Sequence, residues 1–243
     1  MTAYRFLVIG TVGALGCGSD KATSPTCENV SPAIAKTAEK SLRDNALKGA
    51  TPGATALIRE ASRELVLMKE THYTHDAVID EGAGRFDYDC STFLAHALQT
   101  ALPLAYREIT ASNPAPKTRD FVQTFTNLGA MDSQFVRVAH AVDLQPGDIL
   151  AWLLPPGSED TGHIVVVAGT PTVSPDRSDE LLLPIVDATS RPHGVADTRG
   201  PRGGLGLGTV GLLVDATGAL VGHRWAGGCG DAKGETTVGV RPR

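Results

Sequence analysis

The stretch RFDYDCSTFLAHAL, residues 85–98, passes from a polar, acidic approach into an apolar run, and a cysteine lies at the boundary. After Cys90 the apolar residues follow the spacing of one helical stripe, and they are Phe93, Leu94, Ala97, Leu98, Ala101 and Leu102. This spacing predicts a core-facing helix that begins near Cys90. Asp89, Ser91 and Thr92 are residue types that favour a helix N-terminus, where unpaired N–H groups and the helix dipole stabilise anions.

A thiol at a helix N-terminus tends to ionise, and the thiolate is the nucleophilic form. The position of Cys90 therefore suggests a reactive cysteine. The alternative is that Cys90 is a small buried hydrophobic residue, because free cysteine is among the most buried residue types. Histidines and carboxylates elsewhere in the chain bear on the choice.

Length and composition indicate one globular core. The chain has 243 residues, of which 42% are hydrophobic, and its formal net charge is -5. No cluster of lysine and arginine is interleaved with aromatic residues, so the sequence argues against nucleic acid as a partner.

The first residues of the chain have the pattern of an export signal. Residues 6–16, FLVIGTVGALG, form a short apolar run behind Arg5, and we expect residues 1–16 to be removed. ALGC, which ends at Cys17, resembles a bacterial lipoprotein cleavage box, in which Cys17 would carry the lipid. We therefore expect a protein of the cell envelope that meets a membrane only through a lipid anchor, with plain secretion as the alternative.

The remaining chain divides into a short tether, residues 17–30, and one domain, residues 31–243. Helical patterns come first, at 33–48, 54–72, 90–102, 104–109 and 118–129. Runs rich in Val, Ile and Leu follow and predict strands at 134–139, 147–154, 162–169, 180–189, 208–215 and 220–225. Helices followed by strands predict an α+β fold, with N-terminal helices packed on an antiparallel sheet. Residues 71–89 and 190–207 are predicted loops.

A cysteine nucleophile needs a base within hydrogen-bond reach and a third group that orients the base. Among seven histidines, His163 opens a strand directly after Gly162, so we expect it at the sheet edge on a rigid support. Asp187 ends the next strong strand pattern, where its carboxylate can orient the imidazole. The more common interpretation of the others is a surface or structural role, and these include His72, His75, His96, His140 and His223.

His72, His75 and Asp76 also suggest a metal site, but their spacing is a weak signal. We therefore expect no metal and no cofactor.

Three segments resemble the NlpC-like cell-wall cysteine peptidases. DCSTFLAHAL, residues 89–98, is similar to the cysteine signature of that family. LQPGDILAW, residues 144–152, resembles the strand before the catalytic histidine, and GHIVVVAG, residues 162–169, resembles the Gly-His strand itself. The resemblance covers roughly residues 70–190, and it implies a papain-like fold and hydrolysis of amide bonds, commonly in bacterial cell-wall stem peptides.

The resemblance also implies roles for individual residues. Cys90 would be the nucleophile, His163 the base and Asp187 the third catalytic residue. The flanking residues Asp89 and Ser91 would bind the free amine of a stem peptide. Tyr73, a looser match, would stabilise the oxyanion together with the backbone N–H of Cys90; the partner would be a peptide or cell-wall substrate.

The sequence departs from the family pattern at three points. Thr92 replaces a glycine, and Asp187 stands where His, Asn or Gln is more common. Residues 190–204, SRPHGVADTRGPRGG, have no counterpart in the family, and we call residues 190–204 the insert. The insert either is a solvated loop or covers the cleft and offers groups for a substrate carboxylate: Arg191, His193, Asp197 and Arg199.

Cysteine usage fits an exported protein, in which disulfides persist. With Cys17 as the lipid site and Cys90 as the working thiol, Cys27 and Cys229 remain as a possible disulfide. A bridge to Cys90 is the competing possibility and would abolish the nucleophile. Two other functions stay open: a lipid or acyl-amide hydrolase or transferase on the same fold, and a lipoprotein that binds cell wall without cutting it.

Overall fold

A computed structural model describes residues 48–129, 133–158, 161–194, 196–234 and 236–243. The predicted export signal, the lipid site Cys17, Cys27, the tether and nearly all of the helix predicted at 33–48 lie outside the described residues. Within the described ranges, no helix is both long enough and apolar enough to span a membrane.

The described chain has four α-helices, which precede the main sheet. They are α1 (Pro52–Leu67), α2 (Cys90–Ala101), α3 (Pro103–Thr110) and α4 (Thr118–Thr126). Prolines begin α1 and α3, where a missing N–H costs nothing and the fixed φ suits a helix. The Thr51 side chain caps α1, and Asp89 caps α2 by accepting from the Thr92 N–H. The four helix patterns predicted within the described residues are thus confirmed.

Nine strands of the described chain form one antiparallel sheet. They are β3 (Phe135–Val138), β4 (Ile149–Leu153), β5 (Gly162–Val167), β6 (Thr172–Val173), β7 (Glu180–Thr189), β8 (Gly204–Val214), β9 (Leu220–Ala226), β10 (Cys229–Lys233) and β11 (Thr237–Pro242). The spatial order is β10-β9-β8-β7-β5-β4-β11-β3, and β6 pairs with the β7 strand. The chain therefore has an α+β fold in which helices pack on an antiparallel sheet, as the sequence predicts.

Both faces of the central strands are buried. In β5, Ile164 and Val166 belong to the cluster shared with the helices, while Val165 and Val167 belong to a second apolar cluster on the other face. Side chains alternate between faces along a strand, so one continuous apolar run serves both clusters. The β5 strand is therefore a rigid interior support.

Three parts of the chain differ from the sequence prediction. The predicted loop at 71–89 contains a hairpin, β1 (Val78–Asp80) paired with β2 (Arg85–Asp87). Strands β6, β10 and β11 were not predicted, because their sequences TV, CGDAK and TVGVRP are short and only partly apolar. The β8 strand begins four residues before the predicted start, so most of the glycine-rich run is strand and not loop.

A buried polar contact joins α1 to the segment that leads into α2. Glu64 is fully buried, and the Tyr88 hydroxyl donates to its Oε2 at 2.5 Å while His96 Nδ1 lies 3.0 Å from its Oε1. Burial, followed by the charge of Glu64, raises the pKa of Tyr88, so the phenol stays a donor. This contact lies two residues before Cys90.

We predict that Tyr88→Phe lowers the free energy of unfolding by about 1–3 kcal/mol, because one buried carboxylate oxygen loses its donor. Urea unfolding measures the change. Tyr106→Phe on α3 is the matched control, since the Tyr106 side chain is only partly buried, and we expect a change within about 0.5 kcal/mol. Equal losses in the two variants would contradict the role of the Glu64 contact.

Candidate active site

Cys90 is the first residue of α2, and its 5% exposure leaves the sulfur at the wall of a cleft. The N-cap residue Asp89 is fully engaged: its Oδ1 accepts from the Thr92 N–H at 2.8 Å and from the Ser91 hydroxyl at 2.9 Å, and its Oδ2 lies 2.9 Å from His75 Nδ1. Burial raises the pKa of Asp89, but these contacts outweigh burial and lower it. Asp89 is therefore a carboxylate that fixes the start of α2.

His163 lies on β5, the strand between β4 and β7, and not at the sheet edge that the sequence predicts. Gly162 explains the position, because a Cβ there would lie 2.1 Å from the Trp152 carbonyl oxygen and 2.8 Å from Thr118 Cγ2. The absent side chain lets β5 approach both neighbours closely. The His163 ring packs between two indoles, with centroids 5.2 Å from Trp152 and 5.0 Å from Trp225.

His163 connects the thiol to a buried carboxylate. Its Nε2 lies 2.6 Å from Oδ2 of Asp187 on β7. Burial alone lowers the pKa of His163, but the electrostatic interaction with Cys90, hydrogen bonds with Asp187 and Cys90, and the charge of Asp187 together raise it to about 9. The structure thus brings together Cys90, His163 and Asp187, the three residues that the sequence predicts as catalytic.

Asp187 is fully buried and carries more than the His163 contact. Arg199 Nη2 pairs with its Oδ1 and also donates to the Asp187 carbonyl oxygen at 2.8 Å. His193 Nε2 lies 2.9 Å from Oδ2. Burial raises the pKa of Asp187, but the charges of Arg199 and His193 and the histidine hydrogen bonds hold it well below its usual range. The carboxylate is therefore ionised inside the protein.

The insert supplies both Arg199 and His193, and glycines of β8 make room for them. A Cβ on Gly206 would lie 2.5 Å from Arg199 Cγ, and one on Gly208 would lie 2.8 Å from His193 Cβ. The alternate glycines therefore leave one face of β8 open to the insert. The insert is packed against the sheet here and is not a solvated loop.

His193 is held from both sides of its ring. Nδ1 lies 2.7 Å from the Trp225 carbonyl oxygen, and Nε2 faces the Asp187 carboxylate. Both of these oxygens are acceptors, so each ring nitrogen lies where its N–H group would donate to one of them. The ring stacks on the Trp225 indole at a centroid distance of 4.1 Å.

The sequence predicts that His193 and Arg199 bind substrate, but the structure gives them another position. Both side chains are buried against Asp187, and neither lines the cleft beside Cys90. Their contacts favour a role in positioning Asp187. Arg191, a third insert residue, lies with its guanidinium carbon 5.5 Å from the Trp225 ring centre, and Asp197 pairs with Arg199.

The cleft beside Cys90 has a volume of about 250 Å³. Its lining includes residues predicted from the sequence and residues that were not: Tyr73, His75, Asp89, Cys90, Ser91, Lys117, Thr118, Arg119, Thr161 and Gly162. Thr118 Oγ1 lies 3.8 Å from Cys90 Sγ. Tyr73, Asp89 and Ser91 thus lie at the cleft, as their predicted roles require. The lining residues at the start of α4 were not predicted, because no local pattern marks them as part of a site.

The predicted metal alternative does not assemble. His72 Nδ1 lies 2.9 Å from Asp87 Oδ1, while His75 contacts Asp89. A closer donor set combines His163, Asp187 and His193, whose donor atoms lie within 4.8 Å of one another. The cationic Arg199 side chain occupies the other Asp187 oxygen, so this set is organised as a hydrogen-bonded charge cluster.

Cys90 is a free thiol, and Cys229 is disulfide-bonded. A bridge to Cys90, the possibility that would abolish the nucleophile, is therefore not present. The predicted partner of Cys229, Cys27, lies outside the described residues.

We predict that Arg199→Met destabilises the protein by about 3–5 kcal/mol at neutral pH, because a buried carboxylate loses its cationic partner. Arg202→Met, an exposed position of the same insert, is the matched control and should change stability by less than about 0.5 kcal/mol. Urea unfolding of both variants measures the difference.

The same comparison has a pH signature. A carboxylate with a depressed folded pKa stabilises the fold above its unfolded pKa, about 3.9, and the contribution is lost as pH falls through the folded value. The gap between wild type and Arg199→Met should therefore narrow below about pH 4. A gap that stays constant into acid would show that Asp187 is not the partner responsible.

Comparison with known proteins gives a distant similarity to a viral protein. The chain is 27% identical over 158 residues to "Uncharacterized protein R653" of Acanthamoeba polyphaga mimivirus, and the aligned region covers 57% of this chain and 68% of the viral protein. The printed name of the viral protein states no activity. No family model matches the chain, and no solved structure matches it.

Proposed function

We propose that this protein is a cysteine hydrolase with a papain-like fold that cleaves amide bonds. One observation carries the proposal: a free thiol at the start of a helix and the wall of a cleft interacts with a histidine that a buried carboxylate holds at 2.6 Å. A nucleophile, a base and an orienting group in contact are the arrangement that acyl transfer by cysteine needs.

The three segments that resemble NlpC-like peptidases all contribute to this arrangement. Residues 89–98 carry the thiol, β4 carries Trp152 against the imidazole, and β5 carries His163. Helices packed on an antiparallel sheet are compatible with a papain-like fold. The resemblance supports peptidoglycan stem peptides as the substrate class, and residues 1–17 support an envelope protein anchored by lipid.

The proposed reaction has two steps. The Cys90 thiolate attacks the amide carbonyl, the S–C bond forms, and the oxyanion is bound by the backbone N–H of Cys90 with Tyr73 nearby. The C–N bond then breaks as the His163 imidazolium gives its proton to the leaving amine. Neutral His163 next removes a proton from water, which attacks the thioester and releases the acid and the thiolate.

Asp187 and its partners act on His163 and not on substrate. The carboxylate accepts from Nε2, which leaves Nδ1 for the thiol and the leaving amine. Arg199 and His193 keep Asp187 ionised within the fold, so it favours the imidazolium that the first step needs.

The cleft lining can hydrogen-bond a peptide. Apart from Gly162, every lining residue carries a hydroxyl, a thiol, a charge or an imidazole. These groups support a peptide substrate, because an amide backbone offers both donors and acceptors. A protein that only binds cell wall would differ from a hydrolase in the reactivity of its thiol.

We predict rapid alkylation of Cys90 by iodoacetamide at about pH 6, slowed about 10- to 100-fold in His163→Ala, because an ordinary thiol is mostly protonated there. Mass spectrometry of the labelled peptide gives the rates. His140→Gln, an exposed histidine distant in sequence from the site residues, is the control and should label like wild type. Slow labelling that does not depend on His163 would favour the binding-only alternative.

We also predict that Cys90→Ala lowers the rate at which new amino groups are released from a panel of cell-wall stem peptides by about 10³-fold or more. In wild type, kcat/KM should fall above about pH 9, where His163 loses the proton that the leaving amine requires. Unchanged thermal unfolding of the variant controls for folding. Retained cleavage by Cys90→Ala would overturn the mechanism.

A further inference from the structure

Among the described residues, the charged side chains that line the cleft are not balanced. Lys117 and Arg119 flank Thr118, the residue whose hydroxyl lies 3.8 Å from the Cys90 sulfur. Both cationic side chains are exposed, and in the described part of the chain neither has an ion-pair partner. Their neighbour Asp120 is engaged elsewhere, since it accepts from the Lys117 N–H at 2.8 Å and from Asn113 Nδ2 at 2.9 Å.

Within the part of the chain that the structure describes, the lining has one carboxylate, and that carboxylate is already used. Asp89 is 4% exposed, and its oxygens are engaged by Ser91, the Thr92 N–H and His75. His75 contacts this carboxylate and also lines the cleft, with more than half of its side chain exposed. The described lining therefore presents positive charge beside the nucleophile, although the whole chain carries a formal charge of -5.

From this geometry we infer that the cleft selects substrates that carry a carboxylate close to the scissile amide, and that Lys117 and Arg119 are its specificity residues. The inference rests on the proposed hydrolase function and names its substrate class. It differs from the expectation that Asp89 binds a free amine, because an ammonium group would meet two cations and a carboxylate that already has its donors. A substrate carboxylate would instead gain two opposite charges.

The reactivity of Cys90 itself tests the inference without knowledge of the natural substrate. Iodoacetate and iodoacetamide alkylate the same sulfur by the same displacement and differ in one negative charge. The measured quantity is the rate constant for iodoacetate divided by the rate constant for iodoacetamide, both at low ionic strength. We expect the double variant Lys117→Gln/Arg119→Gln to lower this ratio about fivefold, as two charges at roughly 8 Å in water would.

The matched control is Arg59→Gln/Lys69→Gln, which removes the same two residue types from exposed positions that do not line the cleft. Its ratio should equal that of wild type. In about 1 M salt, where the Debye length is about 3 Å, the rate ratios of wild type and the cleft variant should become equal. A cleft variant with fast labelling and an unchanged ratio would overturn the inference and leave the hydrolase proposal intact.

A second arm uses paired amide substrates that differ only in a carboxylate or a carboxamide beside the scissile bond. The cleft variant should raise KM for the carboxylate member about fivefold and leave the carboxamide member unchanged. Equal effects on both members would overturn the inference. A wild-type thiol inert to both alkylating agents would overturn the hydrolase proposal, and the inference with it.

Discussion

The buried carboxylate of Asp187 is the group around which the other features of the site are arranged. An isolated carboxylate in an apolar interior is prohibitively costly, so it must be surrounded by donors. Here a guanidinium and an imidazole from the insert and a second imidazole from β5 surround it. The strand that carries Asp187, the insert and the strand that carries His163 are therefore tied to one another through a single charge.

This arrangement explains why the insert and the glycines of β8 belong together. Arg199 contacts the Asp187 carboxylate, the Asp187 carbonyl and the Gly206 carbonyl, so it lies flat against two strands. Side chains at 206 and 208 would occupy the space that Arg199 and His193 need. Glycine weakens a strand, and here its small size admits a charged network that a bulkier strand would exclude.

Local pattern predicted the parts of the molecule that depend on local physics. The helix at Cys90 followed from apolar spacing and from the cap at Asp89, and the strand of His163 followed from its valines and isoleucine. The α+β class followed from the order of these elements. The hairpin before Cys90 and the strands β10 and β11 depend on pairing with distant strands, and their own residues are too polar or too few to signal it.

The same distinction holds within the site. Cys90, His163 and Asp187 were predicted because each stands at the end of a recognisable element. The contact of Arg199 and His193 with Asp187 depends on how a glycine-rich strand packs, and the sequence alone suggested substrate contact instead. Lys117, Thr118 and Arg119 belong to an ordinary helix start, and only the tertiary arrangement of α4 beside Cys90 brings them to the cleft.

The rings on either side of His163 give the molecule an optical consequence. The chain contains two tryptophans, and the His163 ring contacts both of them, Trp152 at 5.2 Å and Trp225 at 5.0 Å. An imidazolium quenches indole emission more strongly than a neutral imidazole does. Each indole also lies against a second imidazole, Trp152 against His223 at 4.2 Å and Trp225 against His193 at 4.1 Å. The intrinsic fluorescence of the whole protein therefore reports on the protonation of the histidines around the site, with no label attached.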